Sequence, residues 1–354
     1  MTPEETQQYH EYLQNKTRAE LESIASSMDR GQYPERYRLV SERLEIVRAQ
    51  PTPASPFSGE AIVQSVTERD KKKFNPVYLL VFSAIAFFLA GGLESTFESV
   101  LLLGAVVLIH EFGHLMAMKV FRYQNTRIFF LPLIGGLAQG KPPAPNSLKE
   151  AIVALMGPVV GLTSAYIFLW ASNMTWSATY LELARLSFII NIFNLVPLVP
   201  LDGGQILQGL FFNRAVVADI AFKALGLLGL LYLAYELNTH FFIFVAVIIA
   251  MQIRFTYNDM LVLDRLRVRG LTIGEQFNAD TAQTIGDVLV EVENIAAKPN
   301  TKLAYVANRV EQIHHKAHKD AASWVSALLV FAVYAAAVTV GLLTFVEHFP
   351  LRKG

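Results

Sequence analysis

His110 and His114 stand four residues apart, with Glu111 between them, in the run His110-Glu111-Phe112-Gly113-His114. On a helix, positions i and i+4 share a face, so both imidazoles reach one metal ion, while Glu111 sits about 100° round beside the open coordination position. A carboxylate next to a metal-activated water is equipment for peptide hydrolysis, because it can take the water's proton and deliver it to a leaving amine. Two histidines make an incomplete site, so a third protein ligand is required and the fourth place is left for water. The chain has no cysteine, which restricts that ligand to His, Asp or Glu. Asp202 is the best candidate. Pro197 and Pro200 break the preceding helix and Gly203-Gly204 permit close backbone approach, although a plain turn at a membrane surface is the competing explanation of an isolated Asp-Gly-Gly.

The elements that must position these groups are apolar. The pentapeptide lies inside residues 100–121, a stretch long enough to cross a bilayer. Each ionisable group near the centre of such a helix costs about 2.5 to 3.5 kcal/mol on insertion, so two His and one Glu demand partners or a metal. A histidine pair satisfied by neighbouring helices is the bland alternative. Over its 354 residues the chain is 53% hydrophobic and 17% charged, with a mean hydropathy of +0.36, which places it among polytopic membrane proteins. The formal net charge is zero, and no basic stripe supports nucleic-acid binding. The amino terminus opens polar and acidic, so it does not read as a secretory signal peptide.

Spans are expected at 77–93, 100–121, 151–171, 181–200, 216–235, 241–253 and 324–346, the sixth being short for a bilayer. The connections 94–99, 172–180 and 236–240 contain no Lys or Arg, whereas the alternate ones carry Arg122, Arg127, Lys141, Lys149 and Arg214. This positive-inside pattern puts the amino terminus and the 254–321 region in the cytoplasm and the carboxyl terminus outside. The organisation expected is a cytoplasmic helical region and linker over 1–73, a transmembrane core over 74–253, a cytoplasmic soluble domain over 254–321, and a last transmembrane helix with its tail over 322–354.

Two separated elements, His110-Glu111-Phe112-Gly113-His114 and Asn194-Leu195-Val196-Pro197-Leu198-Val199-Pro200-Leu201-Asp202-Gly203-Gly204, resemble the site-2 protease family of intramembrane zinc metalloproteases. The resemblance implies an all-α polytopic membrane protein of about six to seven transmembrane helices with a re-entrant β-loop and small soluble terminal regions. It implies one Zn2+ per chain held by His110, His114 and Asp202, with Glu111 as catalytic base. Asn194, eight residues before the ligand Asp, would hold substrate near the metal, and Asn191 is the competing candidate. The Pro- and Gly-broken segment 128–140, with Gly135 and Gly136, would be the β-loop that pairs with an unwound substrate strand. The expected partners are the lipid bilayer and a transmembrane protein substrate, whose cytoplasmic fragment is released. The expected location is a prokaryotic cytoplasmic membrane. Oligomeric state is left open.

Three further features have structural explanations at hand. Gly157-Pro158 and Gly161 suit a kink or close helix packing. The cluster His314-His315-His318 reads as a solvated face before it reads as a second metal site, and Glu182 and Arg185 pair most simply with each other. A catalytically silent metal-binding protein that retains or chaperones membrane partners is the alternative function, disfavoured because zinc binding alone does not require Glu111. A secondary transporter lacks the expected repeat, and a prenyl-protein endopeptidase would call for a Glu ligand.

Overall fold

The computed structural model describes residues 3–14, 16, 18–49, 56–71, 97–131, 135–236, 238, 240–295 and 301–349. The expected span 77–93 lies outside them. The chain is mostly helical, and its first helices, α1 (Pro3–Gln14), α2 (Arg18–Ser27) and α3 (Pro34–Ala49), bundle around Leu13, Leu21 and Val40.

Among the described residues the membrane-type core starts with α5 (Phe97–Val120), followed by an antiparallel hairpin of β1 (Gln124–Leu131) and β2 (Gly135–Lys141). Its register pairs Arg127 with Gln139, Ile128 with Ala138 and Phe130 with Gly136. Then come α6 (Ser147–Thr175), α7 (Ala178–Asn194) and the short α8 (Asp202–Leu210). Helices α9 (Val216–Glu236) and α10 (His240–Val268) pack as a pair. Among the described residues five helices are long and apolar enough to cross a membrane: Glu98–Val120, Ser147–Thr175, Val216–Glu236, Phe242–Val268 and Trp324–His348.

Two expected spans differ in shape. Within 181–200 the helix stops at Asn194, because residues preceding Pro197 and Pro200 are driven out of the helical region, and α7 is left at 17 residues. The expected span 241–253 is instead the first half of α10, which runs unbroken to Val268 since no Gly or Pro interrupts it. Gly270, at φ +67°, turns the chain just beyond the helix end.

Beyond α10 lie α11 (Ala279–Val292) and α12 (Leu303–Ala317), whose apolar faces meet around Ile285, Leu289, Val306, Val310 and Ile313. The same core takes Val262 and Leu266 from the end of α10, and Ile62 and Val66 from α4 (Gly59–Lys71). The helical unit around this core therefore joins the expected 254–321 region to the amino-terminal helix α4, and the Gly59 backbone N–H donates to Gln283 Oε1 at 2.6 Å. The last helix, α13 (Trp324–His348), lies against α6 and α7, with Tyr334 Oη donating to the Leu195 carbonyl at 2.7 Å.

Candidate metal centre

Helix α5 presents His110 and His114 one turn apart on its face toward α6 and α7, where both are buried with Glu111. The third group arrives from the break after α7. Past the two prolines the chain turns at Leu195–Leu201 and starts α8 with Asp202 as its first residue. A Cβ at Gly203 would collide with the Leu195 carbonyl, and one at Gly204 with the Leu198–Val199 backbone. The two glycines thus let the new helix begin pressed against its own lead-in, and the carboxylate sits at the positive end of α8.

The three side chains converge. His110 Nε2 lies 3.1 Å from Asp202 Oδ2, His114 Nε2 lies 3.4 Å from the same oxygen, and the two Nε2 atoms are 3.1 Å apart. Among the described residues this is the only group of three or more potential His or carboxylate ligands so placed. His114 Nδ1 is 2.7 Å from the Val153 carbonyl, which only accepts, so Nδ1 carries the proton and Nε2 offers a lone pair. Asp202 Oδ2 is buried and has no hydrogen-bond partner among the side chains or backbone around it. A buried unpaired carboxylate oxygen facing an imidazole lone pair is costly unless a cation lies between them. Bonds of about 2.0 to 2.2 Å in a tetrahedral shell place neighbouring donor atoms roughly 3.3 Å apart. The observed spacings fit zinc, and the nitrogen and oxygen donors are of the type zinc takes.

Space around the ligands is as constrained as the ligands themselves. A Cβ at Gly157 of α6 would overlap the His114 imidazole, so Gly157 is where the ring lies against the backbone of α6. Pro158 follows inside the same helix. On the far side of His110, Nδ1 is 2.7 Å from Asn191 Oδ1, and Asn191 is fully buried.

Glu111 points away from the ligands' supports toward the hairpin. The Ala138 backbone N–H is hydrogen-bonded to its carboxylate, and a Cβ on Gly136 would strike the Glu111 side chain. Gly135 is the strand partner of Leu131 at the start of β2. Asn194 is half-buried, its Nδ2 donates to the Ile190 carbonyl at 3.0 Å, and it lines the cavity in front of the ligands. The cavity has a volume of about 820 Å3. Its walls bring Val107 and Phe193 from the apolar helices together with Gln205 from α8 and Tyr123 and His315 from the polar end.

The residues singled out from the sequence therefore fall into one place, apart from the split between the two asparagines: Asn194 faces the cavity and Asn191 faces His110. Glu182 and Arg185 pair at 2.7 Å. In the His314 cluster, His314 Nε2 meets the Gly274 carbonyl at 3.0 Å and His315 lies 3.4 Å from Glu150. His315 thus stands at the cavity wall, which its polar helical surroundings in the sequence did not suggest. The Val153 carbonyl was also unreadable in advance, since any residue type supplies a backbone oxygen. Gly157 and Gly161 were visible as small residues without the side chains they make room for.

Residues 98–180 and 171–234 match the family model described as peptidase family M50. A zinc metalloprotease of Methanocaldococcus jannaschii is 28% identical over 159 residues, covering 41% of this chain and 46% of that protein. Stage IV sporulation protein FB of Bacillus subtilis is 32% identical over 127 residues, covering 35% of this chain and 44% of that protein. The chain thus spans under half the length of these curated relatives. Among solved structures, the site-2 protease from Methanocaldococcus jannaschii aligns at 24% identity and a TM-score of 0.36, over 49% of this chain and 88% of that one.

Proposed function

The core of this chain belongs to peptidase family M50, the site-2 protease family, and from that premise we propose that the protein is a zinc-dependent intramembrane endopeptidase. It cuts a locally unwound transmembrane helix of another protein and releases a cytoplasmic fragment. The observation that carries this reading is that His110 and His114, with Glu111 beside them on a helix apolar enough to span a membrane, meet the orphaned buried Oδ2 of Asp202 from α8.

His110, His114 and Asp202 hold one zinc ion. Zinc in such a site acidifies water and polarises a carbonyl. Glu111 removes a proton from the attacking water as its oxygen bonds to the scissile carbon, and returns that proton to the amine nitrogen as the C–N bond breaks. The Ala138 N–H keeps the Glu111 carboxylate aimed at the cavity. Asn194 has one amide hydrogen on the Ile190 carbonyl and a second free to donate to the carbonyl oxygen as charge develops there. The hairpin acts as the re-entrant loop, with Gly135 and Gly136 letting a substrate strand run close to β2 and expose a carbonyl that a helix would hide. The amino-terminal region and the 254–321 region face the cytoplasm of a prokaryotic cell, following the charge asymmetry of the connections.

The alternative is a silent zinc protein that retains membrane partners. The two separate on the purified wild type, Glu111→Gln and Asp202→Ala, assayed for zinc per chain and for cleavage of single-span substrates in detergent. The protease reading expects zinc in wild type and Glu111→Gln, cleavage only in wild type, and little zinc in Asp202→Ala. A wild type that binds zinc yet cuts none of a broad substrate panel hands the case to the silent protein.

A further inference from the structure

Asn191 is the one polar side chain at the centre that neither binds the metal group nor faces the cavity, and it is completely buried. Its Nδ2 donates to the Ser187 carbonyl at 2.7 Å, one turn back on α7. That bond settles which way the amide lies, because the flipped arrangement would set Oδ1 against the Ser187 oxygen, two acceptors face to face. Oδ1 is therefore the atom 2.7 Å from His110 Nδ1. An acceptor at that position requires the proton of His110 on Nδ1, which leaves the Nε2 lone pair toward Asp202 and His114.

The surroundings hold the amide in this orientation. Gly161 of α6 faces it so closely that a Cβ there would overlap the Asn191 carboxamide. The Gly161 carbonyl in turn accepts from Ser164 Oγ at 2.7 Å and from Ser187 Oγ at 3.1 Å, and the two hydroxyls are 2.9 Å apart. A missing side chain on α6 and a serine pair across α6 and α7 thus form a slot for one carboxamide. Ring nitrogens opposite a metal are commonly held this way, and loss of the holding group costs about 10- to 100-fold in metal affinity.

We propose that Asn191 is a positioning residue that fixes the tautomer and ring angle of His110 for metal binding, and that the Gly161, Ser164 and Ser187 slot exists to orient it. This rests on the zinc reading given above. It gives Asn191 a role distinct from that of Asn194, which meets substrate.

The test is zinc affinity by chelator competition on the full-length protein in detergent, for wild type, Asn191→Leu, Asn191→Asp and Gly161→Ala, with cleavage measured at low and saturating zinc. Asn191→Leu removes the acceptor and is expected to lose about 10- to 100-fold in affinity, with cleavage recovering as zinc is raised. Asn191→Asp keeps an acceptor on Nδ1 and, fully buried against the Ser187 carbonyl, carries a proton on its second oxygen in place of the Nδ2 donor. It should retain affinity within a few-fold below the pH at which that proton is lost, and this rescue distinguishes orientation of His110 from packing. Gly161→Ala crowds the amide without altering it and should fall with Asn191→Leu. Equal affinity in wild type and Asn191→Leu overturns the proposal while leaving the protease reading intact, as does an Asn191→Asp affinity as low as that of Asn191→Leu. A wild type without zinc overturns both.

Discussion

At the scale of single residues, the centre is built as much by absent side chains as by present ones. His114 is trapped between the Val153 carbonyl, which sets its tautomer, and the bare backbone of Gly157. Gly157→Ala would put a methyl into the ring, and neither a buried imidazole nor α6 has room to yield in a packed interior. We expect Gly157→Ala to lose most of its bound zinc, measured as metal per chain after gel filtration. Zinc at the wild-type level in a folded variant would contradict the observed contact. The pentapeptide is legible in the sequence because its spacing alone aligns two imidazoles on one helix face. The need for Gly157 is not, since it depends on which helix packs alongside.

At the scale of elements, two pieces of chain meet Glu111 and the ligands from opposite directions. The loop from α7 into α8 delivers Asp202, and the hairpin delivers the Ala138 N–H and the flat surface of Gly136. Because the hairpin touches Glu111, the proposed base, while the proposed ligands belong to α5 and α8, the two functions should separate. Gly136→Val is expected to push β2 off Glu111 and reduce cleavage strongly while zinc per chain stays at the wild-type level. Parallel loss of zinc would mean that the hairpin also supports the ligands. The sequence signals of these elements were unequal. The prolines and glycines around Asp202 announced a helix break and restart, whereas α10 showed only its apolar half and concealed that the helix continues through polar residues to Val268.

At the scale of the whole molecule, the helical unit of α4, α11 and α12 reaches the membrane-type core through a few ion pairs. Lys141, at the end of β2, lies 2.6 Å from Asp70 of α4 and 2.7 Å from Glu311 of α12. Arg69 also meets Glu311 at 2.7 Å and bonds Asn308. Glu150, at the start of α6, meets His315 of α12 and Lys319 just beyond its end. Partial burial works against ionising Asp70, but Lys141 and Arg69 outweigh it and hold its carboxyl below the ordinary value of 3.8. A depressed folded-state value means that the pairing is complete above the unfolded value and is lost as pH falls through the folded one. These are partly exposed pairs, individually weak, so the effect should be local. Hydrogen exchange in α12, corrected for intrinsic rates, is expected to rise in Lys141→Met at neutral pH. Acidification below 3.8 should raise it in wild type and add little in the variant. Unchanged exchange in Lys141→Met would show that the apolar packing of the unit alone holds α12.

Local sequence patterns carry the chemistry proposed for the centre and the apolar character of the helices around it. Same-face spacing in one helix, a helix break before an acidic residue, and long apolar runs are local patterns, each expressed by its own segment whatever the rest of the chain does. Only the tertiary structure decided which side chains hold those groups in place. Asn191 meets His110 across 81 residues, and the Gly59 backbone meets Gln283 across 224. Such partners carry no spacing rule. They are chosen by which helices pack together and by where a glycine leaves room for a ring or an amide, which is a property of the packed interior and of no single segment.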